Sequence, residues 1–145
     1  MYKVFLPIAL YVFISISQEA AFLWILDIQN KRPQMIESVE LTNAAQWHAE
    51  YIEENNYFSH CTKEGDCPNR IIKRFGCDHP YNENGNAVES LVRGTADARA
   101  AYNALIASPS HRQHLHGLNE MTKKQIYYGV GFSGLTFVFL SSETC

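Results

Sequence analysis

Two histidines and a glutamate stand in short strings whose residue types could do chemistry. His60 closes "NYFSH", Glu89 lies in "AVES" and His111 lies in "SPSHR". Imidazole and carboxylate donors together suit zinc or a similar borderline metal, whereas carboxylates alone would suit calcium. The same groups could polarise a water for hydrolysis. An acyl-enzyme route is the weakest reading, because no motif places a nucleophile beside a histidine. Ser59 precedes His60 directly, but adjacent side chains point apart, and Cys61 behind it is expected to be oxidised.

Each candidate also has a plain structural role available. His60 could complement a helix C-terminus, and His111 could be a solvated neighbour of Arg112. His111 and His114, three apart, could chelate as a pair on one helical face. No acid stands near them in sequence, so a solvated face is expected. His48 falls on the inward side of its helix and reads as a hydrogen-bonded core residue.

The elements that must position these residues are legible from periodicity and punctuation. Ala21, Leu23, Trp24, Ile25 and Ile28 recur at near-helical spacing before Lys31, Arg32 and Pro33 close the segment. Ser38 offers an N-cap to a second helix, with Leu41, Ala44, Ala45, His48, Tyr51 and Ile52 on one face, and "NNYFSH" is its exit. Residues 61–86 are rich in Gly, Asn, Asp and Pro and read as a long loop with a helical turn at "CPNRIIKRF". Thr95 is placed as the cap of a third helix whose inward residues are Ala98, Ala101, Tyr102 and Leu105. Ser108 and Pro109 open a short helix, "PSHRQHLH", that Gly117 stops.

Beyond Gly117 the period changes. "IYYGVGF" and "LTFVFLS", separated by Ser133 and Gly134, signal a hairpin. Leu135, Phe137 and Phe139 point one way and Val138 and Leu140 the other, so both faces of the strand are apolar. A sheet covered on both sides is implied, which gives an α/β class and a three-layer α/β/α sandwich with a small antiparallel sheet between helices.

Bulk properties narrow the function. A chain of 145 residues with 46% apolar content has room for one domain and a real core. A net charge of -3 and a pI near 6.0, with Lys and Arg scattered, exclude nucleic acid as the main partner. Lys3 precedes an apolar run from Val4 to Ile16, with Ser15 and Ser17 at the small-residue positions of a cleavage site. Residues 1–17 are therefore expected to be a signal peptide, and 18–145 a secreted, extracellular domain. Gln18 and Glu19 interrupt the run well short of the roughly 20 apolar residues a span needs, so no stable membrane span is expected after cleavage. In an oxidising compartment Cys61, Cys67, Cys77 and Cys145 form an even set, expected as two disulfides. Three pairings are possible. The polar, Gly65-containing loop from Cys61 to Cys67 is the simplest, which leaves Cys77 for Cys145.

Taken together, "NYFSH", "AVES", "SPSHR" and "YGVGF" stand in an order and spacing that resembles the CAP superfamily, the SCP or cysteine-rich secretory domain, in its bacterial-type NYFSH, SPGHR and GVG form. The resemblance runs from about Leu26 to Leu140. It implies a cleft with two histidines and two acids able to hold a divalent metal. His60, Glu89 and His111 match three of them. Asp97 takes the second acid position, five residues before Tyr102, which stands for the family's tryptophan. Each then falls at an element terminus: a helix exit, a strand start, a helix's first turn and a helix start. Gly129 and Gly131 would let strand backbone approach such a cleft. The resemblance implies a binding module that engages a lipid, a sterol or an extracellular protein, with zinc the expected metal in preference to calcium. The alternative is a metal-dependent hydrolase using the same cleft.

Overall fold

The computed structural model of the chain describes residues 18, 21–23, 25 and 32–145. The expected signal segment and most of the first expected helix lie outside the described residues. Gln18, Ala21, Phe22, Leu23 and Ile25 are helical, and Phe22 and Ile25 are buried.

Ser38 begins the longest helix among the described residues, α1 (Val39–Asn55), by accepting from the backbone N–H of Leu41, and Asn56 ends it in the left-handed region at φ 45°. Short polar side chains suit both positions, the first as an acceptor for an orphan N–H and the second because Asn tolerates positive φ. The inward face is Leu41, Ala44, Ala45, His48, Ala49 and Ile52. Tyr51, expected inward, is half-buried instead: its ring stacks on Trp47 and its hydroxyl donates to Glu64. Within the long loop, Pro68 opens α2 (Pro68–Arg74). The third helix, α3 (Ala98–Ala107), is capped by Asp97, whose carboxylate accepts from Ala100 N–H; Thr95 takes the bond from Asp97 N–H one step earlier and is not the cap. Ser108 then leads into α4 (Pro109–His116), which Gly117 stops at φ 62°. A last short helix, α5 (Glu120–Lys124), carries a capping box built by Asn119 and Thr122.

Four strands, β1 (Ile36–Glu37), β2 (Glu89–Arg93), β3 (Tyr127–Ser133) and β4 (Thr136–Ser142), form one sheet in the order β1-β3-β4-β2. The β3–β4 and β4–β2 pairs are antiparallel as expected, while the two-residue β1 pairs parallel to β3. The hairpin turn is Gly134-Leu135, one residue later than expected, because Ser133 pairs with Thr136 and Gly134 supplies the positive φ. Leu135 is consequently exposed at the tip.

The period-two alternation of β4 divides the core. Phe137 and Phe139 join Phe22, Tyr102, Leu105 and Leu115 on one face, and Val138 and Leu140 join Leu41, Ile52 and Ile71 on the other. Helices α3 and α4 cover the first face and α1 and α2 the second, which gives the three-layer sandwich. Contact between α1 and β3 is close: a Cβ on Gly129 would enter the backbone of Leu41 and Thr42, and one on Gly131 the backbone of Ala45 and Gln46. The two glycines therefore admit a helix, not a cleft.

Both disulfides join the expected partners, Cys61 with Cys67 and Cys77 with Cys145, and among the described residues no cysteine is free. Arg32, expected to close the first helix, does helix-end work elsewhere. Its buried guanidinium donates to the carbonyls of His114 and Leu115 at the end of α4 and of Thr122 and Gln125 at the end of α5. Those carbonyls lie at two helix C-termini, where acceptors outnumber intrahelical donors and a cation is also favoured by the dipole. Among the described residues no helix is long and apolar enough to cross a membrane.

Candidate functional site

His60 lies four residues beyond the αL cap that ends α1, directly before the loop that the Cys61–Cys67 bridge closes. It is not capping the helix. Its Nδ1 lies 2.8 Å from Oε1 of Glu89, the first residue of β2. The other carboxylate oxygen, Oε2, lies 2.5 Å from Nδ1 of His48, which reaches across from the inward face of α1. The glutamate side chain is 1% exposed and that of His48 0%, whereas that of His60 is 40% exposed. An ionised carboxylate can only accept, so both rings present Nδ1–H to it. Asn86 Nδ2, 3.2 Å from the same nitrogen of His60, is a close donor neighbour; the shorter, charge-assisted contact to Glu89 decides the tautomer. Nε2 of His60 is thereby left as the lone-pair nitrogen.

Around this pair opens a cleft of about 230 Å³ whose walls include His60, Asn86, Glu89, Ser90, His111 and His114. Ser110 and His111 enter it from the first turn of α4, and Asn119 and Met121 from the start of α5. Asn86 shapes the floor. Its Oδ1 accepts from the N–H groups of Val88 and Glu89, fixing the entry to β2, and its Nδ2 donates to the Glu89 carbonyl. The His111 imidazole is held below its ordinary range, first by burial and then by the nearby His60.

His114 corrects the expectation of a solvated face. It is 7% exposed, and both ring nitrogens are engaged, Nδ1 with Ser90 Oγ and Nε2 with Ser141 Oγ, each at 2.7 Å. Ser141 donates its own proton to Gln125 Oε1 at 3.0 Å, and so must accept from His114 Nε2–H. Ser90 therefore donates to Nδ1. The ring is neutral, its pKa lowered to about 3 by burial first, then by the charge of Arg32 and the neighbouring histidines. A hydroxyl donating to an imidazole on a cleft wall has the outline of a nucleophile and its base. An imidazole whose conjugate acid has so low a pKa is too weak a base to take a proton from serine, and Ser90 is itself buried, so the pair is a structural network.

Three of the four expected site residues, His60, Glu89 and His111, share the cleft. Asp97 does not line it: it follows the opposite end of β2, and its carboxylate is spent on the α3 cap. Among the described residues no three His, Cys, Asp or Glu side chains are arranged as a metal cage. The donor chemistry fits an open site on two imidazoles, with Glu89 behind His60, and does not fit a closed four-ligand site.

The residues that pattern-reading passed over are Asn86, Ser90, His114 and the link between His48 and Glu89. His114 registered only as a neighbour of His111, and His48 as a polar residue on the inward face of α1.

No protein-family model and no curated protein sequence matches the chain. Two solved structures are similar to it in fold. An extracellular protein containing an SCP domain from Bacillus anthracis superposes with a TM-score of 0.69 at 20% identity, over 86% of this chain and 39% of that one. An outer surface protein from Borrelia burgdorferi superposes with a TM-score of 0.63 at 20% identity, over 86% of this chain and 90% of that one. The present chain thus spans about two fifths of the Bacillus protein's length. The architecture, a small four-stranded sheet flanked by helices, is an SCP-like α/β fold.

Proposed function

We propose that this is a secreted SCP-fold binding protein whose cleft takes a divalent cation, zinc in preference to calcium, and engages an extracellular partner. The observation that carries the reading is the carboxylate-backed imidazole: Glu89 accepts from Nδ1 of His60 and leaves Nε2 as a ligand atom on a cleft that also holds His111. A metal-bound histidine commonly donates its second ring nitrogen to a carboxylate in this way. The lowered pKa of His111 keeps that ring neutral, as a ligand must be. Two imidazoles favour a borderline metal, because calcium seeks an all-oxygen shell. His60 and His111 would hold the ion, and when bound it would act as a Lewis acid on whatever oxygen occupies its open positions.

The cleft's volume bears on the partner. At about 230 Å³ it falls below the roughly 300–1,000 Å³ of pockets that enclose drug-sized ligands, so it suits an ion or a small polar group. A lipid or sterol would have to lie on outer surface, where Phe58 beside the His60 loop and Leu118 and Met121 beside the α5 wall are exposed. Export rests on residues 1–17 and on the two disulfides, which belong to an oxidising compartment.

Element analysis of protein purified from medium, with calorimetric titration of zinc and calcium, tests the reading. Stoichiometric zinc supports it, and calcium binding with no zinc binding overturns it. The hydrolase alternative draws on the same His60–Glu89 pair, since a carboxylate-oriented imidazole can also serve as a general base. Turnover of an ester, amide or phosphoester panel that stops with chelator and in His60→Ala would favour it.

A further inference from the structure

We propose that His48 is a positioning residue for the cleft: acting through Glu89, it fixes the ring orientation and tautomer of His60. The chain of contacts is direct, from His48 Nδ1 to Glu89 Oε2 at 2.5 Å and from Glu89 Oε1 to His60 Nδ1 at 2.8 Å. One carboxylate is thus clamped between two Nδ1–H donors, one in the core and one at the cleft. A carboxylate with 1% exposure has almost no water to orient it, so its rotamer is set by the donors it meets. His48 supplies the donor on the buried side of the site, because it projects from the packed face of α1 between Ala44, Ala45 and Ile52.

A second observation separates positioning from filling. Among the described residues, the buried Nε2 atom of His48 has no hydrogen-bond partner. An imidazole that satisfies only one of its two nitrogens is a poor core residue compared with leucine, since an unmet polar atom costs stability. Its retention in that place is accounted for by the one bond it does make, to Glu89. The carboxylate then passes that orientation to His60, which lies outside any helix or strand and whose side chain is 40% exposed.

The test uses the full secreted chain with His48→Leu, His48→Gln and His48→Asn. Asparagine can place an amide N–H where Nδ1 of the imidazole lies, glutamine places its amide near Nε2, and leucine supplies volume alone. The first readout needs no metal: long-range 1H–15N spectra of the His60 ring report which nitrogen carries the proton. Wild type and His48→Asn should show His60 as the Nδ1–H tautomer, and His48→Leu and His48→Gln should show a mixture. The second readout, zinc affinity by calorimetry, rests on the cation reading; His48→Leu should lose about 10-fold or more, as second-layer changes do, with His48→Asn recovering most of it. If His48→Leu does not fold, the contrast between His48→Asn and His48→Gln decides. An unchanged His60 tautomer in folded His48→Leu or His48→Gln overturns the positioning role. Wild-type protein that shows the tautomer effect but takes no zinc would retain His48 in this role while removing the cation reading.

Discussion

The buried His114 should make folding stability depend on pH in a way a single substitution can remove. Its pKa is about 3 in the folded protein against 6.5 for the free side chain, so between those values the unfolded chain binds a proton that the folded one does not. Stability then rises with pH through this window: it is complete above about pH 6.5 and falls by up to about 1.4 kcal/mol for each unit of acidification below it. From pH 7.5 to 4.5 the contribution from this one group is a loss of roughly 2–3 kcal/mol, which is large against the 5–15 kcal/mol by which domains are usually stable. Urea unfolding at pH 7.5, 6.5, 5.5 and 4.5 and constant ionic strength measures it. His114→Gln keeps a polar group near Ser90 and Ser141 but does not titrate, so its stability should start lower and decline less steeply on acidification. Parallel curves for the two proteins, or a His114 ring resonance that titrates near pH 6.5, would refute the assignment of a neutral, doubly engaged imidazole.

Other parts of the structure give expectations of their own. Removing the Cys77–Cys145 bridge, which spans 68 residues, should cost about 4 kcal/mol by the loop-entropy relation, and removing Cys61–Cys67, which spans 6, about 2 kcal/mol; chemical denaturation of the paired Cys→Ala variants ranks them. Gly117→Ala should lose about 1–3 kcal/mol, because φ is 62° and the new Cβ would meet the Arg32 guanidinium that holds α4 and α5; thermal melts read the loss. Asp97→Ala should cost about 1 kcal/mol as a lost helix cap while leaving zinc affinity unchanged, a combination that unfolding and calorimetry together can check. N-terminal sequencing of protein from medium should begin at or near Gln18; an intact Met1 in a membrane fraction would contradict cleavage after Ser17.

Much of the fold could be read from the chain because each local signal agreed with its neighbour. Ser38 before an amphipathic run, Pro109 after Ser108, and β4 apolar on both faces each had one good structural solution, and the sandwich follows from them. What escaped was short or non-local. Strand β1 has two residues and α5 five, too few for any period to register. Thr95 and Asp97 both had the chemistry of a cap, and only the start of α3 at Ala98 chose between them. The site divided in the same way. His60, Glu89 and His111 were recognisable as strings, but their separate roles depended on which atoms meet. Glu89 is flanked by imidazoles 41 residues before it and 29 residues before it, a juxtaposition that no local pattern encodes. His114 was misjudged because helical spacing put it beside His111, whereas α4 turns it under β2 and β4, onto Ser90 and Ser141.

The most direct test of the central claim is a zinc titration of the chelator-treated protein alongside His60→Ala, His111→Ala and His114→Gln. Wild type should bind one equivalent, and should bind more weakly as pH falls, because imidazole ligands must be neutral. His60→Ala and His111→Ala should each abolish most of the binding and His114→Gln should retain it, since both nitrogens of that ring are already committed within the fold. Zinc binding that survives both His60→Ala and His111→Ala, or no zinc binding by the wild-type protein, would contradict a cation site in this cleft.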